Sequence, residues 1–213
     1  MIARAVLADR IARLGRDRRG VSILEFALIL PILITLGLYG TELAYMATIN
    51  MQVSQIATSV ADNASRLGQT DNSSVTPTVT EDQISSVIKG ALVEGNAFDF
   101  ETNGRIILSS LEKNGATGGQ YIHWQRCSGS LAKNSAYGKQ GDSVTAMGTS
   151  GHTVTAPSGS AVMYAEVYYQ YQPLFGTMFT SNTQFHQEAA YVVRDDRNLT
   201  PGVTGTSGTN SCS

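Results

Sequence analysis

Few residues in this 213-residue chain have the type and spacing that chemistry requires. His123 stands four residues before Cys127, a spacing that lets both face the same way on a strand and offers half of a zinc-binding set. No second His/Cys pair completes it, so no metal is expected. In "GTSGHT" (Gly148–Thr153) a serine lies near a histidine without a partnering acid, and the stretch reads as loop. Glu166 and Glu188 fall on two segments that could be facing strands, where paired carboxylates would suit acid–base work, but nothing in the sequence supplies a pocket. His186 sits among polar residues and reads as surface. Phosphate-binding, nucleophile-elbow and dinucleotide glycine patterns are absent. The expectation is a non-catalytic protein with no cofactor.

The more informative group is a carboxylate in an unusual place. In "RDRRGVSILEFALILPILI" (Arg16–Ile34) a basic cluster of Arg16, Arg18 and Arg19 ends at Gly20, and an apolar run follows. From Val21 to Thr41 the only charge is Glu25. As a helix this run spans about 31 Å, enough to cross the hydrocarbon core of a bilayer. Pro31 inside it is tolerated better in lipid than in water. Residues 1–20 carry net charge +4 and the remainder −6. That asymmetry gives no footprint for nucleic acid. It places the N-terminus in the cytoplasm and residues beyond about Thr41 on the other side.

The helical pattern continues past the span. Met46, Ile49, Val53, Ile56, Val60, Ala64 and Leu67 recur at spacings of three and four, with Gly68 as the expected stop. This amphipathic extension needs a partner surface, either its own domain or another subunit. A polar linker, 69–80, leads to Thr80-Glu81-Asp82-Gln83, a helix start. Ile84, Val87, Ile88, Ala91 and Leu92 then share one face. Four strands follow, at 105–113, 120–127, 161–173 and 184–196, with a long Gly/Ser/Thr-rich loop over 128–160. The fold class is α+β: a long N-terminal transmembrane and amphipathic helix, then a small domain with a short helix and an antiparallel sheet of about four strands. The two cysteines, Cys127 and Cys212, admit an intramolecular disulfide, free thiols or an intermolecular bridge.

Three readings compete for the N-terminus. A cleaved signal peptide fits poorly, because the run is long and no small-x-small site follows it. A plain signal anchor gives no reason for Glu25, which costs more than leucine at that depth. In the third reading, Gly20, four residues, Glu25 and Phe26 form a leader that is cut before the apolar run. This pattern resembles that of type IV pilin-like proteins, and in particular the TadE-like pseudopilins of the tight-adherence (Tad/Flp) pilus system. The resemblance extends along "GVSILEFALILPILITLGLYGTELAYMATINMQVSQIATSVADNASRLG", and more loosely to "VYYQYQPLF" and the closing "VVRDDR".

The resemblance implies cleavage between Gly20 and Val21 by a membrane prepilin peptidase, whose substrate this chain would be. Cleavage would leave a new ammonium on Val21, one turn from Glu25, and methylation of that amine is a family possibility. Glu25 would offset the charge in its own chain or in a neighbouring subunit, setting register. The organisation expected is a cytoplasmic leader 1–20, transmembrane helix 21–41, extension 42–68, linker 69–80, periplasmic domain 81–197 and flexible tail 198–213. The implied partners are the peptidase, other pseudopilins or pilin subunits of the Tad machinery, and the bacterial inner membrane. Gly37, Gly40, Thr41 and Ala44 provide small residues at four-residue spacing, a face that would let helices approach closely, although small residues scattered in an apolar run would look the same. The rival reading is an uncleaved, signal-anchored envelope protein with a periplasmic ligand-binding or interaction domain.

Overall fold

The computed structural model describes residues 20–68, 76–194, 196–205 and 210–212. Arg16, Arg18 and Arg19 lie outside the described residues, as do 69–75 of the expected linker. The chain divides into two compact units, Met1–Ala44 and Tyr45–Ser213. One helix, α1 (Val21–Ser65), begins in the first and ends in the second, running unbroken through Pro31.

Within the second unit the seam of α1 is buried against its own domain. Ile49, Val53, Ile56, Val60 and Ala64 are each at most 3% exposed. They pack with Ile84 and Ile88 and with sheet residues Ile106, Leu108, Met163, Ala165 and Val167. Each of the larger aliphatic side chains contributes about 1.5–3 kcal/mol by leaving water. The C-terminal end of α1 is tied down by the chain's closing basic residues. Arg194 pairs with Asp62 at 2.6 Å. Arg197 Nη2 donates to the carbonyls of Ala64 (3.0 Å) and Leu67 (2.6 Å), satisfying acceptors that a helix end leaves open. Burial lowers the Arg197 guanidinium to about 10, so it remains a cation at neutral pH, at the negative end of the helix dipole.

After a two-residue strand β1 (Val79–Thr80) comes α2 (Glu81–Glu94). Its start is a capping box: Thr80 Oγ1 accepts from Gln83 N (3.3 Å), and Gln83 Oε1 accepts from Thr80 N (3.0 Å). A short helix α3 (Phe100–Asn103) then precedes the sheet. The strands are β2 (Gly104–Lys113), β3 (Gln120–Ser128), β4 (Ser143–Val144), β5 (Ala161–Gln170) and β6 (Gln184–Val192), in spatial order β4-β3-β2-β5-β6 and antiparallel throughout. β4 is a short addition to the four strands expected.

Both faces of this sheet are covered. α1 and α2 pack on one, and the long 129–160 segment covers the other, with Met147 and Ala156 buried there among Leu111, Ile122, Val162 and Tyr164. β5 is consequently buried from Ala161 to Tyr169 without alternation. The segment leaves β3 at Gly129 (φ 98°), where a Cβ would stand 2.3 Å from the Gly104 carbonyl oxygen, so glycine is required.

Two expectations are corrected. His123 and Cys127 do not share a face. Ser110 pairs with Trp124 and Leu111 with Ile122, which leaves His123 as the extra residue of a β-bulge. His123 Nδ1 lies 2.8 Å from Glu112 Oε2, while Cys127 belongs to the opposite face with Ile107 and Tyr168. The expected flexible tail is instead fastened to the domain in its described parts. Strand β7 (Val203–Thr204) pairs in parallel with β1, so part of the expected linker is structured too. The Asn210 carbonyl accepts from Cys127 N (2.6 Å), and Cys127 is joined to Cys212 by a disulfide across a separation of 85 residues.

Such a crosslink restricts the unfolded chain and typically adds about 2–4 kcal/mol. Urea titration of the detergent-solubilised protein, followed through the single tryptophan Trp124, should show that loss of stability on reduction or in Cys127→Ser. An unchanged midpoint would show that the tail adds nothing.

Candidate functional site

Two places carry groups with functional potential, and the first is the start of α1. Gly20 is exposed, and its carbonyl accepts the first helical bond from Leu24 N at 3.2 Å. Val21, Glu25 and Phe26 are all exposed, with Glu25 one turn after Val21. Leu24, Leu28, Ile32 and Leu36 are each more than 60% exposed, and Val21, Ile29, Leu33 and Ile34 at least 45%. A helix apolar on every side demands lipid or other helices around it. Its most apolar stretch has a mean hydropathy of 2.4, and it is the one described helix long and apolar enough to cross a membrane. Gly37, Gly40, Thr41 and Ala44 are exposed together. Thr41 Oγ1 donates to the Gly37 carbonyl (2.9 Å), so its polarity is met within the helix. The space beside Gly37 and Gly40 is open to 4 Å. A second helix could therefore approach this face with no side chain in the way.

The second place is on the sheet face away from the helices. Glu166 and Glu188 are direct cross-strand partners on β5 and β6. Glu166 is buried and accepts from Ser135 Oγ (2.5 Å), Ala136 N (2.8 Å) and Tyr168 OH (3.1 Å). Glu188 accepts from Tyr137 OH at 2.6 Å and lies 3.3 Å from His186 Nε2. The ligand-type atoms of Glu166, His186 and Glu188 lie within 4.8 Å of one another, the one such trio among the described residues. Both oxygens of Glu166 and one of Glu188 accept from donors of the 129–160 segment, which makes the cluster a clasp. The pairing of the two strands was visible in the sequence. Ser135 and Tyr137 were not, because a Ser/Gly-rich loop carries no periodicity to show where it returns. Beside the clasp a cavity of about 240 Å³ is lined by Arg105, Lys133 and Lys139 and the disulfide, and among the described residues no carboxylate lines it.

Residues 20–66 match a family model described as TadE-like protein. The N-terminal helix is TadE-like. No curated protein and no solved structure matches the chain. The matched segment starts on Gly20 and ends one residue after α1, so the TadE-like part coincides with the helix, and the sheet domain lies outside it. The match associates the chain with Tad pilus assembly, and the exposed apolar helix is compatible with single-pass membrane anchoring.

Burial raises the Glu166 carboxyl above its usual 4.5, with the Ser135, Ala136 and Tyr168 hydrogen bonds acting in opposition. A folded state that holds this proton more tightly than the unfolded state is favoured at low pH. This contribution to stability is therefore fully present below about 4.5 and declines as pH rises through the raised value. Glu166→Gln should flatten that part of a stability-versus-pH curve; an identical slope in wild type and variant would contradict the assignment.

Proposed function

We propose that this chain is a non-catalytic, pseudopilin-like subunit that takes part in assembling a Tad/Flp-type adhesive pilus. The observation that carries the reading is the TadE-like match, which starts at Gly20, over a helix that starts at Val21 and exposes apolar side chains on every side. In this reading the prepilin peptidase cuts between Gly20 and Val21 at the cytoplasmic face of the inner membrane. The arginines of the leader hold that bond at headgroup level. The cut leaves a cation on Val21 at the start of α1, and Glu25 supplies the counter-charge one turn on. A carboxylate in hydrocarbon is costly unless paired. Pairing it with the new ammonium of its own or a neighbouring chain therefore rewards one axial register over others. The small-residue face from Gly37 to Ala44 supports close helix approach, and the domain beyond Tyr45 makes its contacts in the periplasm. An oxidising periplasm suits the Cys127–Cys212 disulfide.

Two substitutions test this. Among the described residues a Cβ at Gly20 meets nothing within 4 Å, so Gly20→Val is expected to act on processing and not on the fold. It should accumulate as the longer, uncut chain. Glu25→Ala should insert into the membrane normally but lose most surface pili. Normal processing of the first variant, or normal piliation with the second, would contradict the roles given to these residues.

A further inference from the structure

The connection between β5 and β6 has a composition that a water-facing loop does not need. From Val167 to Phe185 there is no Asp, Glu, Lys, Arg or His. At its turn Leu174 is 50% and Met178 72% exposed, while Phe175 and Phe179 meet edge-on at 6.4 Å beside them. The base of the turn is held shut by polar groups: Tyr171 N donates to the Thr183 carbonyl (2.9 Å), and the hydroxyls of Thr180 and Thr183 are 3.0 Å apart. The apolar tip is therefore presented by a closed hairpin.

The base of this hairpin touches one particular part of α1. The ring of Tyr171 lies 6.0 Å from that of Tyr45. Tyr45 follows the apolar run, which ends at Thr41, by four residues, about 6 Å along a helix. A headgroup layer is roughly 5–7 Å deep on each side of the hydrocarbon core. Tyr45 therefore falls within that layer, and so does the tyrosine it touches. Aromatic and aliphatic side chains without charge, backed by Thr, Ser, Asn and Gln, are the chemistry of the membrane interface.

We propose that the 172–180 hairpin is a second membrane contact, its Leu174, Phe175, Met178 and Phe179 tip resting in the headgroup layer of the leaflet from which α1 emerges. This rests on the reading of 21–41 as the spanning segment. The partner is a lipid surface, and the contact restricts how the domain tilts about its anchor.

The test uses the processed full-length protein in phosphatidylcholine vesicles whose acyl chains carry bromine either near the headgroup or at mid-chain. Met178→Trp and Leu174→Trp report on the hairpin and Ile32→Trp on the span; Trp124, 3% exposed, gives a constant background. The hairpin tryptophans should shift to the blue and be quenched more by shallow than by deep bromines, with the reverse order at position 32. Quenching at 32 with none at 174 or 178 would overturn the hairpin contact and leave the span standing. No quenching at any of the three would overturn both. Hairpin emission that responds to protein-to-lipid ratio but not to bromine would assign the surface to a second copy of the chain, against the proposal.

Discussion

A single helix cannot offer the same surface to lipid and to a protein core, and the architecture follows from how α1 resolves that conflict. From Val21 to Thr41 its side chains are predominantly apolar around the whole circumference and, Leu38 excepted, exposed. From Tyr45 onward the apolar positions narrow to one stripe, and Ile49, Val53, Ile56 and Val60 are removed from water by the domain. The first pattern is stable only in hydrocarbon or among other helices. The second is stable only if the domain supplies a matching face. The domain core is accordingly built on the helix, with α2 and the sheet face of Ile106, Leu108, Met163, Ala165 and Val167 closing over it.

The rest of the domain reads as measures to hold that face in place. Arg194 and Arg197 fix the end of α1 to the segment that follows β6. On the far side of the sheet a segment poor in large apolar residues still covers the strands, and it is held by hydrogen bonds to Glu166 and Glu188 as well as by the packing of Met147 and Ala156. Buried acceptors of this kind cost stability when left unpaired, so cover and carboxylates depend on one another. The tail adds a parallel strand pair and a covalent bond to β3.

The parts of this structure legible in the sequence were those with a period or a cap. The seam of α1, the Thr80–Gln83 capping box and the four main strands each rest on residues whose spacing repeats or whose types are local signals. The bulge at His123 was not legible, because one extra residue leaves composition unchanged and shows only when two strands are paired. The tail was misread because Gly, Thr and Ser dominate it, and the residues that bind it down, among them Val203, Thr204, Asn210 and Cys212, follow no period. The clasp was half visible: strand pairing brought Glu166 opposite Glu188, but its hydroxyl donors come from a loop with no pattern. The start of α1 was legible through one anomaly, a glutamate five positions into an apolar run.

In the proposed function this glutamate belongs to the beginning of a new chain. The most direct measurement is the intact mass, with N-terminal sequence, of the protein extracted from membranes of cells that contain the cognate prepilin peptidase. The expected chain begins at Val21. A chain that still begins at Met1 would contradict this reading.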